Sequence, residues 1–358
     1  MRVIHTVGAR PNFMKLAPVY RALSARGVRQ TVVHTGQHYG GLMSEGILKD
    51  LELPEPDVNL GVGSGTHARQ TSLVMMAFEE QLLLERPDLV LVYGDVNSTL
   101  AATLAAAKLG IPVGHVEAGL RSGDRSMPEE INRLVTDRLS TWLFTPSRDG
   151  DTNLISEGVG ASSIHFVGNV MIDTLERLLL RADGEAPLRA LNLMNGLGPL
   201  PFVLVTLHRP SNVDDAESLA RLMAALEAIA SHLPVIFPVH PRTLARLERF
   251  GIQHERTTLL DPLTYVPFLG LQRHATVVVT DSGGIQEETT YLGVPCLTMR
   301  ESTERPVTVT EGTNLVLGRD TARLEREVLG ILDGQRKIGR IPDLWDGHAG
   351  DRIGEILA

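Results

Sequence analysis

Cysteine is nearly absent: Cys296 is the single one among 358 residues, so no intrachain disulfide can form and nothing points to an oxidising compartment. Aromatic residues are scarce, at 4%. No apolar run approaches bilayer-spanning length, and the opening Met1-Arg-Val-Ile-His-Thr-Val-Gly8 lacks the apolar stretch and small-residue cleavage site of a signal peptide. Positive charge is in deficit, with 34 Lys and Arg against 43 Asp and Glu, a net −9. That balance disfavours general affinity for nucleic acid or anionic membrane and leaves substrate anions to be met by local Arg. A cytoplasmic location is the expectation. The chain also lacks a P-loop and a G-x-S-x-G nucleophile elbow. His34 and His38 are four apart, but Gly36 and the preceding strand pattern argue against a helical metal pair, so no metal is expected.

What the chain has is the composition of an α/β protein, 43% hydrophobic with 34 Gly, at a length that suits two domains. Short apolar runs recur, each followed by a turn and a helix-period segment, the pattern of parallel sheets covered by helices on both faces. Residues 3–7, 30–34, 89–93, 113–117 and 141–145 read as strands of one open sheet, with helices such as 15–25 and 99–109 between them. A second series at 202–206, 235–239, 257–260, 276–280 and 295–299 reads as a second sheet of the same kind. A helix over about 170–181 and a Gly-, Pro- and Leu-rich stretch at 184–201 read as the link, the latter as a loose connector. Gly61-Val-Gly-Ser-Gly65 reads as a mobile loop.

Ligands of open α/β sheets sit beyond the carboxyl ends of the strands. That rule selects Arg10, Asp95, Glu117, His208, His240 and Asp281, each within a few residues of an apolar run. The most informative segment is Ala275 to Glu288, where a β-branched strand runs through Asp281-Ser-Gly-Gly284 directly into a helix. Ser282, Gly283 and Gly284 at a helix N-terminus offer unpaired N–H groups and close approach for a phosphate. Glu288, one turn on, suits a neutral diol such as a ribose. An ordinary Gly-rich strand-to-helix turn has the same short pattern.

Asp95 and Glu117 end strands of the first series, and Pro128-Glu129-Glu130 opens a helix just downstream. Clustered, partly desolvated carboxylates spread their proton affinities, which suits proton abstraction and return. Glu129 and Glu130 also complement a helix dipole, and Glu129 has Arg133 at i+4. His208 and Arg209 end a strand of the second series, while Arg10, Lys15 and Arg305 are candidate phosphate or sugar contacts.

Taken in order, Arg10-Pro11, Lys15, Gln37-His38, Gly94-Asp95, His115-Val-Glu-Ala-Gly-Leu-Arg-Ser122, Pro128-Glu-Glu-Ile-Asn-Arg133, His208-Arg209, Pro238-Val-His240, Asp281 to Glu288 and Thr303-Glu-Arg-Pro306 resemble the non-hydrolysing UDP-N-acetylglucosamine 2-epimerases. The resemblance spans almost the whole chain and looks closest to the archaeal-type branch. It implies a GT-B-like fold: a Rossmann-like domain over residues 1–168, a UDP-binding one over 169–344, a cleft between them, and a C-terminal helix at about 345–358 packing back on the first. It implies Asp95, Glu117 and Glu129 as the acid–base set with His208 assisting at the diphosphate. It implies UDP-sugar contacts at Arg10, Lys15, Arg133, Phe268, Ser282, Gly283, Gly284, Glu288 and Arg305, and neither metal nor nicotinamide cofactor. Gln37, His38, Arg69, Arg209 and His240 match a second, activating UDP-N-acetylglucosamine site of bacterial relatives, although Gly40 stands where glutamine is usual. A homodimer is implied as well.

This chain departs from the family at Asn12, where Glu is usual, at Val96 for Thr, and at Leu344-Trp345-Asp346-Gly347 for aromatic-Gly-Asp-Gly. Three rival readings share the nucleotide seat: epimerisation of a related sugar such as UDP-2,3-diacetamido-glucuronate, a GT-B glycosyltransferase, and a nucleotide-sugar sensor without catalysis.

Overall fold

Runs such as Leu89–Tyr93 have no polar face, and they are buried throughout, as strands covered by helices on both sides must be. The computed structural model describes residues 1–36, 41–182 and 185–358, the side chains of 41–45 excepted. They divide into two compact units, Met1–Arg177 with Asp343–Ala358, and Leu178–Pro342.

In the first unit, β1 (Arg2–Val7), β2 (Arg29–His34), β3 (Val58–Asn59), β4 (Leu89–Tyr93), β5 (Val113–Val116), β6 (Trp142–Thr145) and β7 (Ile164–Phe166) form one sheet. Its order is β3-β2-β1-β4-β5-β6-β7, and every pairing is parallel. The order reverses between β1 and β4, which opens the crevice where doubly wound sheets bind ligands. The C-terminal helix Ala349–Leu357 packs on the helix Arg10–Ala25, and only glycine fits at 350, where an added Cβ would lie 2.7 Å from the Pro18 backbone. Asp173 accepts hydrogen bonds from the Ala349 and Gly350 amides at the start of that C-terminal helix. The departure at Trp345 is accommodated by burial of its indole, whose Nε1 donates to the Pro146 carbonyl at 2.9 Å.

Early in the second unit come a helix, Glu185–Ala190, and an antiparallel hairpin, β8 (Met194–Asn195) and β9 (Gly198–Pro199). The stretch expected as a loose connector is therefore folded: Leu188 and Leu193 are buried in this unit's core beside Phe202 and Leu204. Its buried leucines supply the burial that fixes it. Then β10 (Val203–Thr206), β11 (Val235–Pro238), β12 (Thr258–Leu260), β13 (Val277–Thr280), β14 (Cys296–Thr298) and β15 (Asn314–Val316) form a parallel sheet in the order β12-β11-β10-β13-β14-β15. It repeats the plan of the first sheet, with its reversal between β10 and β13.

Candidate active site

The crevice of the first sheet is built by the loop after β1 and the loop after β4. Asn12 joins them: its Oδ1 accepts from the Gly8 and Ala9 amides at 3.1 and 2.9 Å, and its Nδ2 donates to the Tyr93 carbonyl at 2.9 Å. A glutamate here would accept the first two bonds but could not donate the third. Pro11 lies in the first turn of the helix that Arg10 opens, where its missing N–H costs nothing. One turn on, the Lys15 ammonium lies 2.5 Å from the Glu117 carboxylate. Gly94, beside that nitrogen, sits at φ 64°, a backbone conformation that favours glycine.

Asp95 and Glu117 follow the paired strands β4 and β5. Glu117 sits at φ 75°, a left-handed conformation that is uncommon without glycine and is characteristic of functional sites. Asp95 is ion-paired with Arg133 at 2.5 Å, and the other arm of Arg133 reaches Glu130 at 2.8 Å. The i+4 pair available to Glu129 is therefore not the one formed, because Arg133 turns to Asp95 and the buried Glu130 instead. Glu130 also accepts from the Ser122 and Gly123 amides at 2.9 Å. Although burial works against its charge, these donors and Arg133 hold its carboxyl below the usual range. Glu130 is thus committed to structure. Glu129 is half-buried, and among the described residues its carboxylate has neither ion pair nor hydrogen bond.

Behind the acids lies a charge network that sequence reasoning missed. His115 spans from the Gly94 carbonyl (2.8 Å) to Asp137 (2.6 Å), and Asp137 also holds Arg121 at 2.7 Å and the Gly119 amide at 3.1 Å. Burial opposes ionisation of Asp137, but His115 and Arg121 outweigh it and keep the carboxyl below its ordinary range. The available signal was His115 within β5, two residues before Glu117 in the chain.

In the second unit, Asp281 spans the reversal between β10 and β13. It accepts from the His208 and Arg209 amides and from Asn212 at 2.9 to 3.1 Å, and lies 3.1 Å from His208 Nδ1. Full burial pushes against its charge, yet His208 and these donors hold its carboxyl low. Ser282 holds the N-cap position of the helix Gly283–Leu292 without a side-chain capping bond. A Cβ on Gly283 would sit 2.4 Å from the Arg305 guanidinium, whereas one on Gly284 would meet nothing within 4 Å. The turn therefore carries a cation on one side and open space on the other, which suits a phosphate. Arg305 is steered by Glu287 at 2.8 Å and Glu304 at 2.6 Å, and Arg300 reaches Glu304 at 2.8 Å. Glu288 is buried, accepts from the Tyr265 hydroxyl at 2.9 Å, and is pushed up to about 7 by burial, with the neighbouring Glu287 adding to it. Phe268 packs at the edge of this unit's core.

Of the second-site candidates, Gln37 and His38 lie outside the described residues, and so does Gly40. Arg69 is exposed in the first turn of the helix His67–Glu85. Arg209 is half-buried, and His240 caps the helix Pro241–Phe250 through its Nδ1. Partial burial lowers the His240 pKa, and the nearby His208 and Arg242 lower it further. His34 packs on Phe13. Among the described residues no cluster of three His, Cys, Asp or Glu could hold a metal, and no helix is long and apolar enough to cross a membrane.

Two parallel sheets of one strand order, each with polar groups gathered at its reversal, define an enzyme of GT-B-like architecture with two Rossmann-like units. The model of the UDP-N-acetylglucosamine 2-epimerase family matches residues 21–358. UDP-N-acetylglucosamine 2-epimerase of Methanocaldococcus jannaschii is 40% identical over 365 residues, covering 100% of this chain and 99% of its own. UDP-2,3-diacetamido-2,3-dideoxy-D-glucuronate 2-epimerase of Pseudomonas aeruginosa is 41% identical over 368 residues, with the same coverage. The crystal structure of the M. jannaschii enzyme in complex with UDP-GlcNAc and UDP matches with a TM-score of 0.91 at 39% identity, covering 100% of this chain and 99% of that one. The chain belongs to the UDP-N-acetylglucosamine 2-epimerase family, a family of isomerases, as its motifs led one to expect.

Proposed function

We propose that this protein interconverts UDP-N-acetylglucosamine and UDP-N-acetylmannosamine. A base takes the proton from carbon 2 while the bond from carbon 1 to oxygen breaks, and UDP leaves with the bonding pair. This leaves 2-acetamidoglucal as the intermediate. UDP then adds back at carbon 1 as a proton is delivered to the other face of carbon 2. Two proton-handling groups are needed, and Asp95, Glu117 and Glu129 supply them in this reading. UDP is held by Arg10, Lys15, Arg133, Phe268, Ser282, Gly283, Gly284, Glu288 and Arg305, with His208 beside the diphosphate. The observation that carries the reading is Glu117: a buried carboxylate in left-handed backbone, fixed by Lys15 next to Gly94-Asp95. No cofactor enters the scheme.

The test is proton NMR of the purified protein with UDP-N-acetylglucosamine in deuterium oxide. Deuterium at carbon 2 of the product is expected, and turnover without it would discard the proton-transfer scheme. The comparable identity to the P. aeruginosa enzyme, 41% against 40%, makes UDP-2,3-diacetamido-glucuronate the second reading. Turnover of that sugar, with UDP-N-acetylglucosamine inert, would establish it.

The reading also places the protein in the cytoplasm as a homodimer. Support for the dimer comes from the helix His67–Glu85, which leaves Leu73, Met76, Leu83 and Leu84 exposed at 38%, 62%, 58% and 77%. Such a row is costly in water and suits self-association.

A further inference from the structure

Buried carboxamides in the first unit form a chain of hydrogen bonds that ends on a backbone carbonyl at each side. Gln70 Nε2 donates to the Gly63 carbonyl at 3.0 Å. Asn97 Nδ2 donates to Gln70 Oε1 at 2.8 Å. Asn132 Nδ2 donates both to Asn97 Oδ1 at 3.3 Å and to the Asp95 carbonyl at 2.8 Å. All three side chains are buried.

A carbonyl only accepts, so each end demands an N–H, and the orientation of every carboxamide follows from its neighbours. Asn97 is the central carboxamide, presenting nitrogen to Gln70 and oxygen to Asn132, and its Nδ2 and Oδ1 also lie 3.1 and 3.3 Å from His67 Nδ1. Its surroundings add to the tie. The Val62 and Gly63 amides donate to the Thr35 and Gly36 carbonyls, and Ser98 lies 2.7 Å from the Thr35 hydroxyl. The Gly61 to Gly65 stretch, expected to be mobile, is therefore held on one side by backbone and on the other by Gln70.

We propose that Asn97 is a positioning residue, fixing the Asp95 backbone through Asn132 and coupling it through Gln70 to the loop at Gly63. The catalytic part rests on the reading of Asp95 as an acid–base group. In Asn97→Asp an oxygen replaces the nitrogen that faces Gln70 Oε1. Two acceptors then oppose each other, which favours Gln70 turning its amide away from Gly63, while His67, whose Nδ1 lies 3.1 Å from the replaced nitrogen, is also within reach of the new oxygen. The bond from Asn132 survives that change, so Asn97→Asp frees the loop first, whereas Asn132→Ala frees Asp95 first.

The experiment combines steady-state turnover of UDP-N-acetylglucosamine with amide hydrogen exchange by mass spectrometry on the intact protein. Gln70→Ala is expected to lower kcat by roughly 10-fold with KM little changed, because a small misplacement of a catalytic group costs rate rather than binding. Its exchange is expected to rise at Asp95 to Asn97 as well as at Gly61 to Gly65. Gln70→Ala and Asn132→Ala together are expected to cost less in kcat than the product of the two. Exchange confined to the loop, multiplicative losses, or an unchanged kcat in Asn97→Ala would each overturn the proposal. Should Asn97→Ala fail to fold, Gln70→Ala at the outer end carries both readouts. A wild type inert on UDP-N-acetylglucosamine would sink the functional reading while the exchange data still test the coupling.

Discussion

Lys15 and Glu117 form a buried ion pair at 2.5 Å, with side-chain exposures of 9% and 3%. Removing one partner leaves the other charge desolvated and unanswered, which costs roughly 3–5 kcal/mol, whereas removing both is much milder. Lys15→Met is therefore expected to melt well below wild type, and Lys15→Met with Glu117→Gln to recover most of that loss. Turnover is expected to be absent in both. Thermal melts beside the NMR assay check this, and a double variant no more stable than Lys15→Met would show the pair to be uncoupled.

The diphosphate seat makes a prediction about two adjacent glycines. Gly283→Ala drives a methyl to within 2.4 Å of the Arg305 guanidinium, so the arginine must leave its place against Glu287 and Glu304. Gly284→Ala meets no protein atom within 4 Å, and its stability is expected to change by less than roughly 0.5 kcal/mol. Both are expected to weaken UDP binding by about 10-fold or more in calorimetry, the first through the cation and the second by blocking approach of the phosphate. Wild-type affinity in Gly284→Ala would remove the turn from the phosphate site.

Strand runs such as Leu89–Tyr93 and Val277–Thr280 were legible because a β-branched or leucine-rich run bounded by Gly or Asp has few alternatives. The edge strands Val58–Asn59, Ile164–Phe166 and Asn314–Val316 were not read as strands. Acids at strand ends, Asp95 and Glu117, could be picked by the strand-end rule. Their partners could not: Arg133 pairs with Glu130 and with Asp95, 38 residues away, rather than with Glu129, and the His115–Asp137 contact joins residues 22 apart. The same limit hid the role of Asn12, which shows only when the loops after β1 and β4 are side by side.

Glu288 gives a pH dependence. Its pKa is about 7 in the folded chain against an ordinary 4.5, so between those values the folded state holds a proton that the unfolded state has released. Stability falls as pH rises through that window, by up to roughly 3 kcal/mol for this group. Asp173, raised chiefly by burial to about 6 from 3.8, acts in the same direction at lower pH. Glu288→Gln is expected to melt above wild type at pH 8 and close to it at pH 5. A variant less stable than wild type at pH 8 would mean that the charged form is favoured in the fold.

The exposed apolar row on the helix His67–Glu85 bears on assembly. Met76, Leu83 and Leu84 lie on the side opposite Val74, Phe78 and Leu82, which are buried in the first unit's core. Packing inside this unit therefore gives the outer row no cover, and a two-fold pairing of identical faces would bury the same side chains twice. Met76→Glu with Leu84→Glu places two like charges on each face, so a dimer built on it would juxtapose four carboxylates and lose its apolar burial together. Light scattering after size exclusion is expected to show about 78 kDa for wild type, twice the 39.0 kDa of the chain, and a monomer for the double variant. The variant's melting temperature separates loss of assembly from loss of fold, since neither position contributes to the core. A wild-type monomer, or a dimer untouched by both charges, would move the interface elsewhere on the molecule.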